Sequence, residues 1–205
     1  VLVVGGKGAQ QAVAAAAAGV DATLVGAVGT DSTMPVRRLL RSRGVDVSAT
    51  QSIDVQTGTA YVAVDPAGEN YIITRSGANA EVTGAMLTGA LARLPRADVV
   101  CLQNELPQEA TMAVLDTLVE MDDRPLVIFD PSPIDGAADI LAHPAVDITK
   151  PNAHEYDALA PVWDTFDGVV CQTRGAEAVL INGAAIDRPS RQPPELSAVN
   201  TTFCP

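Results

Sequence analysis

Aromatic, cysteine and basic residues are scarce in this chain of 205 residues, and the shortages of basic residues and of cysteine each exclude a class of protein. Aromatic residues make up 3%, and 13 lysines and arginines stand against 25 aspartates and glutamates, so the formal net charge is −12. A protein with this net negative charge repels nucleic acid and anionic membranes, and we expect neither as a partner. Cys101, Cys171 and Cys204 are widely spaced and odd in number, which excludes a disulfide framework or zinc motif and favours the reducing cytoplasm.

Long hydrophobic runs are also lacking. No apolar stretch reaches the length that crosses a bilayer, and residues 1–4 are too short for a signal peptide, so we expect neither feature. The chain instead has 47% hydrophobic residues in short runs, mostly of alanine, valine and leucine. Such runs are typical of buried strands in α/β proteins, and the length is sufficient for one domain with its own core.

Short apolar runs alternate with helical segments, which predicts an α/β fold with a central parallel sheet flanked by helices. We expect strands at residues 1–4, 21–28, 98–102, 126–130, 147–149, 169–173 and 178–181, and helices at residues 8–18, 34–43, 82–94, 107–121, 135–141 and 153–160. Residues 57–64 and 70–74 flank the turn Pro66-Ala67-Gly68-Glu69, and this pattern predicts a β-hairpin outside the main sheet.

A glycine-rich loop, Gly5-Gly6-Lys7-Gly8, leads into the first predicted helix. Glycines allow the backbone to approach a ligand, and a helix N-terminus favours anions or oxygen-rich groups. Gly6, Lys7 and Gln10 are therefore candidates for binding a small polyhydroxy or anionic ligand. The alternative is an ordinary helix start with a solvated lysine, and the loop does not have the Walker A spacing.

Polar residues also follow the predicted strands, where open α/β sheets bind ligands. Glu105 either accepts hydrogen bonds from ligand hydroxyls or caps the helix that begins at Pro107. Asp130 either faces the cleft or belongs to a turn that Pro131 and Pro133 fix. These alternatives stay open on the residues alone.

Asn152 and Glu155 stand three residues apart at a predicted helix start. This spacing is typical of a capping box, and it also brings an amide and a carboxylate together, where they can hold waters around Mg²⁺ bound to phosphates. Residues 173–178 join two predicted strands, and they either contact a nucleotide or form an ordinary turn. We interpret His143 and His154 as surface residues.

Taken together and in this order, the segments resemble the ribokinase (PfkB-type) family of sugar and nucleoside kinases. The stretches that carry the resemblance are GGKGAQQAVAAAAAG (5–19), VGAVGTDS (25–32), GVDVS (44–48), TGTAYVAVDPAGENYIITRSGANAEVT (57–83), ADVVCLQNELP (97–107), DPSP (130–133), DITKPNAHEYDAL (147–159), TRGAEAVLI (173–181) and AVNTT (198–202). Each is short, but their order along almost the whole chain makes the match specific.

The resemblance implies a ribokinase-like three-layer α/β sandwich with a central, mainly parallel sheet. Residues 1–205 would form one such domain, with an inserted β lid at about residues 57–75. The family pattern continues beyond this sequence with further helices, so we expect the C-terminal end of the domain to be absent.

Site residues follow from the resemblance position by position. Those that fall on the sugar-binding positions are Gly6, Lys7, Gln10 and Glu105. Those that fall on the nucleotide-binding positions are Asn152, Thr173, Gly175 and Ala178. Asn152 and Glu155 fall on the motif that holds Mg²⁺ through water, and Asn200 and Thr202 fall near a monovalent-cation site that suggests K⁺.

Several positions depart from the family pattern. Gln10 replaces the usual Asn, Asn200 the usual Asp and Ala178 a usual Gly. After Thr202 the glycines of the anion hole and the aspartate that acts as base are not found, so no catalytic residue is assigned. An aspartate expected before Gly5 and about one helix between residues 152 and 173 are also lacking.

The resemblance therefore implies an ATP-dependent sugar kinase that transfers the γ-phosphoryl group to a sugar hydroxyl, with ribose as the leading substrate. ATP and Mg²⁺, with K⁺ as a further ion, would be its cofactors. The expected assembly is a cytoplasmic homodimer formed through the lid. The alternative is a non-catalytic sugar- or nucleotide-binding relative that lacks the base, whereas the absence of a G-x-G-x-x-G motif disfavours a Rossmann oxidoreductase.

Overall fold

The structure is a computed structural model that describes residues 5–31, 36–65, 70–175 and 177–186, and these residues fold into two compact units. The first unit holds the described residues of 1–94 and 105–110, and the second holds those of 95–104 and 111–200. The strand predicted at residues 1–4 and the residues Asn200, Thr202 and Cys204 lie outside the described residues. A single domain over residues 1–205 stays a prediction.

The first unit begins with a helix rich in alanine, α1 (Lys7–Ala17), that packs on two short parallel strands and a second helix. These are β1 (Ala22–Thr23), β3 (Val45–Asp46) and α2 (Val36–Ser42). Ala12, Leu40, Val45 and Val47 form their buried core. Small side chains on one face of α1 allow the helix to lie close to the strands.

Two further strands of this unit, β2 (Gly26–Gly29) and β4 (Thr50–Ile53), pair in parallel. The predicted hairpin is confirmed: β5 (Thr59–Val64) and β6 (Asn70–Arg75) pair antiparallel in a two-stranded sheet of their own, apart from the main sheet. A 3₁₀ turn (Gly77–Glu81) then leads to α3 (Gly84–Leu91), whose first turn is capped by the Thr83 hydroxyl oxygen.

The second unit contains the main, six-stranded sheet. Four parallel strands follow one another across it: β7 (Val99–Gln103), β8 (Leu126–Asp130), β9 (Ile148–Thr149) and β10 (Val169–Gln172). Two antiparallel strands, β11 (Val179–Ile181) and β12 (Ala184–Ile186), complete it. Connecting helices are α4 (Gln108–Val119), whose residues from Thr111 belong to this unit, α5 (Ala137–Leu141) and α6 (Ala153–Ala158).

The order of the parallel strands determines where these helices lie. Because β7 to β10 are consecutive across the sheet, right-handed crossovers place α4, α5 and α6 on the same face. Val127, Phe129 and Thr149 point to one face and are completely buried. Val99, Leu126 and Val169 point to the opposite face, where they are 46%, 41% and 37% exposed. The described part of this unit therefore buries one face of its sheet and leaves apolar side chains on the other.

An ion pair joins the starts of β8 and β9. Both carboxylate oxygens of Asp147 accept hydrogen bonds from Arg124 at 2.7 Å, and Oδ2 also accepts one from the Val127 amide at 2.8 Å. These hydrogen bonds, that from Arg124 above all, hold the pKa of Asp147 below its usual range. Because the unfolded chain keeps the usual value of about 4, this stabilisation is present above that pH and is lost as the pH falls.

Some boundaries were predicted wrongly. The strand expected at residues 21–28 is divided into β1 and β2, and the helix expected at residues 82–94 is the shorter α3. We did not predict β3, β4 or β12, because the first two are short and polar at several positions. Strand β12 was detectable from the sequence, because Asn182-Gly183 is a dipeptide typical of two-residue hairpin turns. Both residues have positive φ and join β11 to β12.

His143 is not the surface residue that we predicted, because its side chain is only 9% exposed. Its Nδ1 accepts a hydrogen bond from the Ala145 amide at 3.1 Å, so the ring proton lies on Nε2. From there it is donated to Asp116 Oδ1 at 3.2 Å. His154 is exposed, as expected.

Valine substitutions on the two faces of the main sheet should differ in cost. Val127→Ala removes two buried methyl groups and should lower the free energy of unfolding by about 2 kcal/mol, from lost burial and the cavity left behind. Val99→Ala, on the exposed face, should cost less than half of that. Urea unfolding of both variants measures the difference, and equal losses would show that both faces are packed alike.

Candidate functional site

The glycine loop and Glu105 meet at the first turn of α1. Gly6 is the N-cap residue, with φ of 93°, and its carbonyl accepts the Gln10 amide at 3.0 Å. The Lys7 amide donates to Glu105 Oε2 at 2.8 Å, across 98 residues of sequence. Three of the four predicted sugar-binding residues, Gly6, Lys7 and Glu105, are therefore adjacent, and Gln10 follows one helical turn later.

Glu105 is thus a capping residue, but not for the helix that follows it in the sequence. The first turn of α1 has no acidic residue and no side-chain cap of its own. A carboxylate that accepts an amide proton there satisfies a free donor and interacts favourably with the positive end of the helix dipole. The sequence showed the candidates, but their pairing depends on the tertiary structure.

Asn152 and Glu155 form the capping box that their spacing predicted. The Asn152 side chain accepts the Glu155 amide at 2.9 Å, and Glu155 Oε2 accepts the Asn152 amide at 2.8 Å. Glu155 is only 6% exposed, whereas Asn152 is exposed. The two side chains therefore hold each other in one geometry at the N-terminus of α6.

Thr173 lies beside this capping box at the carboxyl ends of β9 and β10. A parallel bridge pairs Asn152 with Thr173, and the Thr173 amide donates to the Pro151 carbonyl at 2.8 Å. Gly175, with φ of 57°, and Ala178 lie in the link from β10 to β11. The structure thus brings Asn152, Glu155 and Thr173 together and places the other two further along the same loop.

Sequence reasoning missed an ion pair between buried Asp130 and the part-exposed Lys150 at the same edge of the sheet. Asp130, which ends β8 and is 5% exposed, lies 3.0 Å from the Lys150 ammonium, which follows β9. Asp130 ends one predicted strand and Lys150 directly follows the next one along the chain, and this was the signal that could have identified the pair. Asn104 closes the turn after Asp130, since its amide donates to the Pro133 and Asp135 carbonyls at 2.6 and 2.7 Å.

Two features are absent from the described ranges. No group of three or more histidine, cysteine, aspartate or glutamate side chains is arranged there to hold a metal ion directly. In the same residues no helix is both long and apolar enough to cross a membrane. Cys101 and Cys171 are free thiols.

Comparison with known proteins identifies the family. The model of the pfkB family carbohydrate kinases matches residues 1–183. Ribokinase from Bacillus subtilis is 33% identical over 159 residues, which are 77% of this chain and 53% of that protein. The chain therefore spans about half the length of the curated relatives that it matches.

Solved structures agree with this match. Ribokinase from Thermotoga maritima superposes with a TM-score of 0.71 at 28% identity, over 86% of this chain and 62% of that one. Ribokinase from Cryptococcus neoformans, in complex with ADP, gives 0.74 at 27% identity, over 86% and 63%. The fold is the ribokinase-like α/β fold, and the chain belongs to the pfkB family of carbohydrate kinases.

Substitution of Glu105 should affect stability according to what the new side chain can accept. Glu105→Ala leaves the Lys7 amide without this acceptor and should cost about 1.5–3 kcal/mol, the usual value for a hydrogen bond to a charged group. Glu105→Gln keeps an acceptor but loses the charge, so it should cost about half as much. Urea unfolding measures both, with the exposed Glu120→Gln as the control. Equal stability of wild type and Glu105→Ala would contradict the capping role.

Proposed function

We propose that this chain belongs to an ATP-dependent sugar kinase that transfers the γ-phosphoryl group of ATP to a sugar hydroxyl, with ribose as the leading substrate. The observation that carries the proposal is the contact between the Lys7 amide and Glu105, which assembles a polar group at the N-terminus of α1. The relatives point the same way, since they are named ribokinases and one of their structures contains ADP.

In this proposal the sugar binds at the first turn of α1. Gly6 lets the backbone come close to the ligand, while Lys7, Gln10 and Glu105 exchange hydrogen bonds with its hydroxyl groups. Oxygen-rich ligands suit a helix N-terminus, where amide donors and the helix dipole favour acceptors. The interaction of Glu105 with the Lys7 amide fixes the carboxylate before the sugar arrives, which lowers the entropic cost of binding.

The nucleotide binds, in the same proposal, through Asn152, Thr173, Gly175 and Ala178. Asn152 and Glu155 suit a hydrated Mg²⁺: within the described residues Glu155 Oε1 has no hydrogen-bond partner, while Oε2 is held by the Asn152 amide. Oε1 can therefore accept hydrogen bonds from water on Mg²⁺, because this ion keeps much of its water shell in proteins. When bound, Mg²⁺ neutralises the phosphate charge that builds up during transfer.

Phosphoryl transfer also needs a base that accepts the hydroxyl proton, and no described residue is assigned to this step. Asn200 and Thr202, which we propose near a site for a monovalent cation such as K⁺, lie outside the described residues. A cytoplasmic location, where ATP is available, belongs to the same proposal.

A homodimer through the hairpin is the last part of the proposal. Tyr61 pairs with Ile73 and Ala63 with Tyr71, so these residues share one face of β5 and β6. Tyr61, Tyr71 and Ile73 are 63%, 70% and 57% exposed there. An exposed cluster of aromatic and aliphatic side chains is typical of a protein interface.

The dimer is tested by the molar mass in solution. Light scattering after gel filtration should give twice the chain mass for the wild type and the monomer mass for Tyr71→Lys, because a charge on this face must be desolvated on association. Val99→Lys, on the exposed face of the main sheet, is the control. Dimers that persist in Tyr71→Lys, or a monomeric wild type, would exclude this interface.

Kinase activity is tested by a phosphorylation screen of the full-length protein with ATP and Mg²⁺. Ribose, other pentoses, fructose and nucleosides serve as acceptors, and phosphorylated products are identified by mass. Transfer to ribose in preference to the others is the expected result. Binding of sugar and ATP without any turnover would favour the non-catalytic relative instead.

Glu155→Gln is the informative variant in this screen. It keeps much of the capping box, so stability should change by less than about 1 kcal/mol. Since it removes a charge near the proposed cation, the Mg²⁺ concentration that gives half-maximal activity should rise about tenfold or more. If Mg²⁺ dependence and turnover stay unchanged, Asn152 and Glu155 act only as a helix cap.

A further inference from the structure

A cluster of hydrogen bonds connects the start of the hairpin to the end of β2. Asp31 Oδ1 accepts two hydrogen bonds from one residue, the Thr57 amide at 2.8 Å and the Thr57 hydroxyl at 2.6 Å. The Thr57 hydroxyl oxygen in turn accepts the Gly29 amide at 3.1 Å. Both polar groups of Thr57 are therefore held by residues at or just beyond the end of β2.

Close backbone packing holds the other end of the hairpin against the same segment. The Ala78 amide donates to the Gln56 carbonyl at 2.9 Å. Gly77 has φ of 52°, and a Cβ atom there would lie 2.4 Å from the Gln56 oxygen. At Gly29 a Cβ atom would lie 2.3 Å from the Thr57 nitrogen. Only glycine fits at either position, so both ends of the hairpin meet in one tightly packed cluster.

We call this cluster the hairpin root and define it as Gly29, Asp31, residues 56–58 and residues 76–78. Beyond the root, β5 and β6 pair only with each other among the described strands. All described side chains of β6, from Tyr71 to Arg75, are exposed. Because a two-stranded ribbon has little stability of its own, the contacts at the root must set its direction.

We propose that Asp31 is a positioning residue of the sugar site, which through Thr57 holds the hairpin in the orientation that sugar binding needs. The proposal rests on the proposed function, in which the hairpin is the lid of that site. Asp31 itself does not contact substrate in this account. Its charge strengthens the two hydrogen bonds to Thr57, since bonds to an ionised acceptor are about twice as strong as neutral ones.

The chain offers a matched control for this carboxylate. Asp54 Oδ1 accepts a hydrogen bond from the hydroxyl of Thr30, the residue before Asp31, at 2.9 Å. Like the contact between Asp31 and Thr57, it joins a threonine hydroxyl to a carboxylate. This contact is exposed and does not involve residues 56–58 or 76–78. Asp54→Ala therefore removes a similar interaction from the same loop without affecting the root.

Hydrogen exchange of the full chain without ligand tests the link between Asp31 and the hairpin. In Asp31→Ala the amides of residues 59–64 and 70–75 should exchange about tenfold faster or more, because the loss of hydrogen bonds to a charged group favours local opening. Amides of β7 to β10, and the hairpin amides in Asp54→Ala, should keep the wild-type rate. An unchanged hairpin in Asp31→Ala would overturn the proposal.

Steady-state kinetics test the consequence for substrate. Asp31→Ala should raise the KM for the sugar about tenfold while the KM for ATP stays unchanged, and Thr57→Val should do the same less strongly. Loosened hairpin amides with an unchanged sugar KM would overturn the positioning role and leave a structural one. A wild-type protein that phosphorylates no sugar would contradict the proposed function. The exchange experiment needs no substrate, so it still shows whether Asp31 holds the hairpin.

Discussion

The hydrogen bond from the Lys7 amide to Glu105 is the contact on which the candidate sugar site depends. It joins residues 98 positions apart, and without it the glycine loop would be a helix start with no side-chain cap. One carboxylate oxygen thereby satisfies a free amide and is itself fixed in place. The same interaction caps α1 and, in the proposed sugar site, would arrange polar atoms for the ligand, so we expect stability and binding to change together at Glu105.

The second group of site residues depends on strand order instead. In a parallel sheet the carboxyl ends of neighbouring strands meet at one edge, and residues that follow β8, β9 and β10 are collected there. Asp130 and Lys150 form an ion pair at this edge, while Asn152 lies beside Thr173. None of these contacts requires an unusual local sequence, since each follows from the register of adjacent strands.

Local signals were reliable where the interaction is local. The capping box of Asn152 and Glu155 was predictable because both partners lie within one helical turn, and the hairpin was predictable from its turn residues and flanking alternation. His143 was misjudged because its side chain is buried by the fold, and its hydrogen-bond partner Asp116 lies 27 residues away in the sequence. The Asp31 and Thr57 cluster was overlooked for the same reason, since 26 residues separate the partners.

The sequence by itself determined the α/β class, the hairpin, the capping box and, through the order of its motifs, the family. These features depend on periodicity and on contacts within a few residues, which a linear pattern records. Only the tertiary structure decided that Glu105 caps α1, that Asp31 holds Thr57, and which face of the main sheet is buried. Such contacts join residues whose separation along the chain carries no information about their distance, and they form only when strand order and helix packing bring the partners together.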